Sequence, residues 1–108
     1  MAEPQLIPLR YLKRIEVRGE TRWTGQVTLP GHTPRKVVVL MVKGRLLAVT
    51  NRCPHHGVPM EDGIFDEAAC TLECPSHGWQ LSLDCSDLSP MEVAETEDGL
   101  AVLYPSVR

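Results

Sequence analysis

The feature that most limits what this chain can fold into is the uneven placement of its cysteines, histidines and prolines. Residues 51–90 hold all four cysteines, three of the four histidines and four of the nine prolines. Prolines and clustered turn residues interrupt regular secondary structure, so this segment is predicted to be built largely from loops. We expect the chemistry of the protein in this segment and a scaffold in the rest of the chain.

The scaffold is predicted to consist of β-strands. Residues 36–43 and 46–50 are rich in β-branched and other apolar residues and flank Gly44-Arg45, which is the pattern of a hairpin. The other strand candidates are residues 12–17, 23–29, 91–96 and 100–104, the last two forming a second hairpin pattern. No window of about a dozen residues shows a helical period free of Gly and Pro, so little helix is expected.

The predicted fold class is therefore all-β, with antiparallel sheets and a loop-built subdomain over about residues 51–90. The 108 residues are enough for one domain, which we place over residues 1–108. Between the two motifs described below, the chain has room for a loop, a short hairpin and a return.

Composition and charge exclude several classes of protein. The densest apolar run, residues 37–42, is much shorter than the roughly 20 residues that cross a bilayer. The N-terminus lacks the charged start and apolar stretch of a signal peptide, so we expect no membrane span and a cytoplasmic location. A net charge of −3 argues against a nucleic-acid partner, which requires a clustered basic surface.

The cationic residues are nevertheless unevenly distributed. Ten of the eleven Lys and Arg residues lie between Arg10 and Arg52, whereas most acidic residues follow them. One interpretation is an ordinary solvated surface. The other is that the two parts of the chain present opposite electrostatic fields to a partner.

Two short motifs stand out within residues 51–90. The first is C-P-H-H-G, beginning at Cys53, and the second is C-P-S-H-G-W, beginning at Cys74. Each places a thiolate and an imidazole two or three positions apart, so that a tight turn directs both toward one metal centre. Gly57 and Gly78 allow the sharp backbone bend that such a turn needs.

Residue chemistry alone leaves two rival metal sites open. If His56 replaced His55, both motifs would read C-x-x-H and the four ligands would form a tetrahedral zinc site. Four thiolates would instead hold zinc or an ordinary iron-sulfur cluster, the ligands then being Cys53, Cys70, Cys74 and Cys85. Both alternatives leave the flanking Pro and Gly residues unexplained, and the second also leaves two histidines without a role.

The two motifs resemble those of the Rieske family, and C-P-S-H-G-W is similar to the second Rieske motif in particular. The resemblance implies a [2Fe-2S] cluster, one per chain. In that family each motif supplies one Cys and one His. The cysteines bind the inner iron and the histidines bind the outer one. Carried over to this sequence, the ligands are Cys53 and Cys74 on the inner iron and His55 and His77 on the outer iron.

The remaining cysteines and histidines have simpler expected roles. We expect Cys70 and Cys85 to be buried thiols, with a disulfide between them as the minor alternative. His56 is expected to face solvent beside the site. His32, in a turn-like P-G-H-T-P segment, is expected to be an exposed loop residue.

The resemblance also implies a function. Rieske oxygenases add a separate domain with a mononuclear iron held by two His and a carboxylate. Only two histidines of this chain, His32 and His56, lie outside the predicted ligand set, so we expect no such domain in this sequence. Respiratory Rieske subunits carry an extra pair of cysteines in the two motifs. The matching positions here are Val58 and Ser76, so the chain does not resemble those subunits. The chain is most similar to the small Rieske ferredoxins, which pass single electrons from a flavin-dependent reductase to a terminal oxygenase. We also expect the protein to be a monomer.

Two other functions stay open at this point. One is a small Rieske-like subunit fixed in a larger reductase, of the kind found in nitrite reductases. The other is a structural zinc-binding module.

Overall fold

The computed structural model describes residues 5–53, 57–75, 80–83, 88–97 and 99–104. The strands in these ranges are, in chain order, β1 Gln5–Pro8, β2 Arg10–Val17, β3 Glu20–Val27, β4 Arg35–Val42, β5 Arg45–Thr50, β6 Ile64–Asp66, β7 Thr71–Glu73, β8 Gln80–Ser82, β9 Met91–Thr96 and β10 Gly99–Tyr104. Within these ranges no helix is long and apolar enough to cross a membrane. The all-β prediction is confirmed.

The scaffold is a seven-stranded antiparallel sheet with the order β1-β10-β9-β5-β4-β3-β2. Its centre is the predicted β4–β5 hairpin, in which Val42 pairs with Arg45 across the turn residues Lys43 and Gly44. Both turn residues have positive φ, at 50° and 82°. This is the turn geometry that matches the twist of the flanking strands.

The second predicted hairpin, β9–β10, lies directly beside the first in the same sheet. Leu47 of β5 pairs with Glu92 of β9, and Ala48 pairs with Met91. Because β5 ends at Thr50 and β9 begins at Met91, the segment between them leaves and re-enters the sheet on neighbouring strands.

The segment between the hairpins contains a small sheet of its own, with the order β6-β7-β8. Its β6–β7 part is the short hairpin expected between the two motifs, with Phe65 paired to Leu72. The third strand, β8, was not predicted, because only its central residue Leu81 is buried and three residues give too little pattern.

Strand β4 is buried on both faces, which explains its unbroken apolar sequence. Val38 and Leu40 face one core, which the small sheet and the two motifs cover. Val37 and Val39 face a second core on the opposite side, which includes residues from β5, β9 and β10. We call the first the site core and the second the base core.

Candidate metal centre

The first motif begins where the chain leaves β5. Cys53 is fully buried. Its amide N donates a hydrogen bond to the carbonyl O of Val58 at 2.7 Å, and the Gly57 amide N donates to the carbonyl O of Cys53 at 2.7 Å. Gly57 has φ +69°, a conformation that most other residues adopt only with strain. The loop therefore closes on itself around Cys53; His55 and His56 lie outside the described residues.

The second motif lies between two paired strands. Cys74 follows β7 and is fully buried, while Pro75 after it is exposed in a turn. Glu73 at the end of β7 pairs with Gln80 at the start of β8, so residues 74–79 form the connection of a hairpin. His77 is part of that connection and lies outside the described residues.

The two motif cysteines are brought together in the site core. Both are fully buried and belong to the same group of packed side chains, although they are 21 positions apart in the sequence. The apolar residues around them include Met60, Leu72 and Leu81. Two thiols in one apolar environment suit an iron-sulfur cluster because thiolates bind iron and the surrounding side chains exclude water.

Asn51 supports the backbone of the first motif, a role the sequence did not reveal. Its side-chain Oδ1 accepts a hydrogen bond from the Met60 amide N at 2.8 Å. Its Nδ2 donates to Oε1 of Glu61 at 3.1 Å. Its backbone N donates to the carbonyl O of Lys36 at 2.9 Å, which ties the start of the loop to β4. The two ends of the loop are thus joined through one side chain.

Two arginines of the scaffold contact the chain that leads from the first motif to β6. The Nη1 of Arg22 donates to the carbonyl O of Glu61 at 2.8 Å, and the Nη1 of Arg18 donates to that of Asp62 at 2.7 Å. Arg22 is fully buried, and its burial lowers the pKa of the guanidinium while the Glu20 carboxylate opposes that shift. Its Nη2 lies 3.9 Å from Oε2 of Glu20, too far for a hydrogen bond.

Gly63 marks the closest approach between that connecting chain and β7. A Cβ atom at this position would lie 2.5 Å from the carbonyl O of Glu73, the residue before Cys74. Glycine is therefore required for the connecting chain to pass this close to the end of β7. Neither Gly63 nor Arg22 was identified from the sequence, because each acts through a contact with a distant part of the chain.

The structure agrees with the expectation for one of the remaining histidines and cysteines and disagrees with it for another. His32 is exposed in the turn after β3, as expected. Cys70 is a free thiol but only half-buried, so the expectation of a buried core residue was wrong. It occupies the β6–β7 turn with φ +56°, where its side chain packs at the margin of the site core. Cys85 lies outside the described residues.

Among the described residues, no three His, Cys, Asp or Glu side chains form a metal site. Two of the four predicted ligands, His55 and His77, lie outside those residues. The assignment of the four ligands therefore stays a prediction.

Comparison with known proteins identifies the family. The family model of the Rieske [2Fe-2S] domain matches residues 8–96, which is most of the chain. Pheophorbide a oxygenase, a chloroplastic protein of Oryza sativa subsp. japonica, is 36% identical over 64 residues. That match covers 57% of this chain and 12% of the oxygenase. No solved structure matches. The chain belongs to the Rieske [2Fe-2S] domain family, whose members bind a [2Fe-2S] cluster and transfer electrons through it.

Proposed function

We propose that this chain is a Rieske-type ferredoxin that carries single electrons from a flavin-dependent reductase to a terminal oxygenase or similar acceptor. In this proposal it works as a monomer in the cytoplasm. The observation that carries the proposal is the meeting of Cys53 and Cys74 in one buried apolar core, in a chain that belongs to a family of electron-transfer domains.

The proposed ligands are Cys53 and Cys74 for the inner iron and His55 and His77 for the outer iron. When bound, the [2Fe-2S] cluster supplies a centre that takes up and releases one electron. The protein contributes the two buried thiolates and the closed loop around Cys53. The site core keeps water away from the thiolates, which protects them and influences the reduction potential.

A second candidate function is favoured by the similarity to pheophorbide a oxygenase. In this alternative the chain is the electron-supplying Rieske domain of an oxygenase, acting on a catalytic site elsewhere in the same assembly. The matched region is 12% of that oxygenase, so the similarity concerns the domain and not the activity of the whole protein. The two candidates share the same cluster and differ in whether the electron acceptor is bound permanently or transiently.

The cluster and its ligands are tested together by preparing the protein with ample iron and sulfide. We expect a red-brown protein with about two irons and two sulfides per chain. Each of four single substitutions should abolish the visible and electron paramagnetic resonance spectra: Cys53→Ser, His55→Ala, Cys74→Ser and His77→Ala. The matched controls are His56→Ala and Cys85→Ser, which should retain both spectra.

Two results would contradict this ligand assignment. Zinc in place of iron in that preparation would favour the structural zinc module. Loss of the spectrum in Cys85→Ser, together with its survival in His55→Ala, would favour the four-thiolate site.

A further inference from the structure

A basic cleft lies beside the first motif. It has a volume of about 470 Å³. One side is formed by the turn that contains His32, and the other by Gly57 of the first motif and Pro59, which follows the motif. Its cationic residues are Arg35 and Lys36 at the start of β4 and Arg52 after β5. These three residues come together because β4 and β5 are antiparallel, so that the start of one lies beside the end of the other.

The cations of this cleft have no ion-pair partner among the residues that the structure describes. No carboxylate belongs to the part of the cleft wall that the structure describes. Within the same described ranges, the ion pairs are Arg14 with Glu16 and Arg22 with Glu20, and neither involves a cation of the cleft. Cations grouped without a counter-charge attract an anionic group from outside the molecule.

Arg52 connects this charge directly to the first motif. A Cβ atom at Gly57 would lie 3.2 Å from both Nε and Nη2 of Arg52, so the guanidinium group rests against the backbone of the motif. Arg52 also immediately precedes Cys53 in the sequence. An anion bound in the cleft would therefore be held next to a residue proposed to bind the cluster.

We propose that the basic cleft is the docking site for an acidic segment, rich in Asp and Glu, of the protein that exchanges electrons with this chain. This inference rests on the proposed electron-transfer function and adds the contact surface and the charge of the partner. The volume suits a few inserted side chains, being within the range of small-ligand pockets. Charge complementarity of this kind accelerates encounter and orients the partner, while leaving the complex short-lived as a carrier requires.

Binding is tested with a fluorescently labelled hexaglutamate peptide, followed by fluorescence anisotropy at low ionic strength. The double variant Arg35→Glu/Arg52→Glu should bind the peptide about tenfold more weakly than the natural protein, or worse, because two attractions become repulsions. The matched control is Lys13→Glu/Arg45→Glu, which changes the net charge equally at exposed positions of β2 and β5. About 17 Å of strand separates Arg45 from the cleft end of β5, at about 3.3 Å per residue.

The control variant should bind the peptide nearly as well as the natural protein. Equal weakening in both double variants would show that only the net charge matters and would overturn the proposal. Unchanged binding in the cleft variant would overturn it as well.

A second measurement connects the cleft to electron transfer and separates the two proposals. The protein is reduced with dithionite, separated from the excess by gel filtration without oxygen, and mixed with ferricyanide, an anionic oxidant that takes one electron and becomes ferrocyanide, while the visible band of the cluster is followed. The cleft variant should react more slowly than the control variant, and hexaglutamate should slow the natural protein. Equal rates in the two variants with an intact cluster band would overturn the docking site alone. Absence of the band from the natural protein would overturn the proposed function, whatever the peptide binds.

Discussion

At the level of single residues, the backbone around Cys53 depends strongly on one amide side chain. Asn51 accepts from the Met60 amide and donates to Glu61, so it joins the residues before and after the first motif. Met60 is fully buried, so without Asn51 its backbone N–H would lack this acceptor in an apolar environment. A buried donor without a partner costs about 1–3 kcal/mol.

We therefore expect Asn51→Ala to lower the free energy of unfolding by about 1–3 kcal/mol and to accelerate loss of the cluster. Chemical denaturation of the protein and the decay of its visible absorbance in a chelator measure the two effects. The control is Glu61→Gln, which keeps a side-chain acceptor for Asn51 and should change both quantities little. Equal effects of the two substitutions would show that the Met60 hydrogen bond is not the important contact.

The residues beside the second motif predict the reduction potential. In high-potential Rieske proteins, Ser and Tyr hydroxyls one and three positions after the Gly of the second motif donate hydrogen bonds to cluster sulfurs. Those positions here are Trp79 and Leu81, neither of which carries a hydroxyl group. Leu81 is buried in the site core with both motif cysteines, so an apolar side chain occupies this position in the same core as the two thiols.

We accordingly expect a midpoint potential toward the low end of the Rieske range, near about −150 mV and far from about +300 mV. Fewer donors stabilise the reduced state less, which makes the reduced protein the stronger reductant. Protein-film voltammetry at neutral pH measures this potential. A midpoint above roughly +100 mV, in the upper part of the same range, would mean that other donors replace the missing hydroxyls.

The sequence predicted the residues whose chemistry is distinctive and missed those whose role depends on a distant contact. Cys53 and Cys74 were identified from local spacing, and the structure brings them into one core. Asn51, Arg22 and Gly63 have no local signal, because their partners are 9 to 39 positions away or lie on another strand. Such contacts exist only once the chain has folded.

At the level of elements, β4 separates the two cores and allows them to be tested independently. Val38 and Val39 are neighbours, and both are fully buried. Val38 packs in the site core, whereas Val39 packs in the base core. The alternation of side chains along a strand thus directs adjacent residues to opposite environments.

We expect Val38→Ala and Val39→Ala each to lower the free energy of unfolding by about 2 kcal/mol, since each removes two buried methyl groups and leaves a cavity. Only Val38→Ala should also alter the visible and resonance spectra of the cluster, because only Val38 shares a core with Cys53 and Cys74. The second variant is therefore the control for the first. Identical spectra in both would mean that packing in the site core does not influence the cluster.

Strand prediction was most successful where the pattern was long or repeated. The β4–β5 and β9–β10 hairpins have strands of six to eight residues with clear turns. Strand β1 was missed because it has four residues, ends in Pro8 and is mostly exposed. It is held by antiparallel pairing with β10, which lies at the far end of the sequence and is invisible to a local pattern.

At the level of the whole molecule, the two edge strands of the large sheet influence whether the protein pairs with a second copy of itself. The strand β2 forms one edge and β1 the other. Strand β2 carries four charged residues and has an irregularity between Arg10 and Lys13, where Tyr11 has φ +56°. Charged, irregular edges resist pairing with a second copy of the chain.

We expect the protein to be a monomer of about 12 kDa in light scattering, matching its calculated mass of 12.0 kDa. The same measurement on the protein purified from its native source distinguishes a free carrier from a domain or subunit of a larger assembly. A native mass several times larger, with an oxygenase or reductase in the same peak, would contradict the free ferredoxin and favour the second candidate function.

The segment between β5 and β9 leaves the large sheet and returns to it on neighbouring strands, and this arrangement affects how such a protein can evolve. Because that segment leaves and rejoins the sheet on adjacent strands, recombination could transplant it into a related scaffold without rerouting the host chain. The recipient would still have to offer a matching apolar surface, here supplied by Val38, Leu40, Leu47 and Val49. Transfer of this segment between proteins is thus limited by the match between its apolar surface and that of the recipient sheet. The connection of its two ends to the sheet imposes no comparable limit.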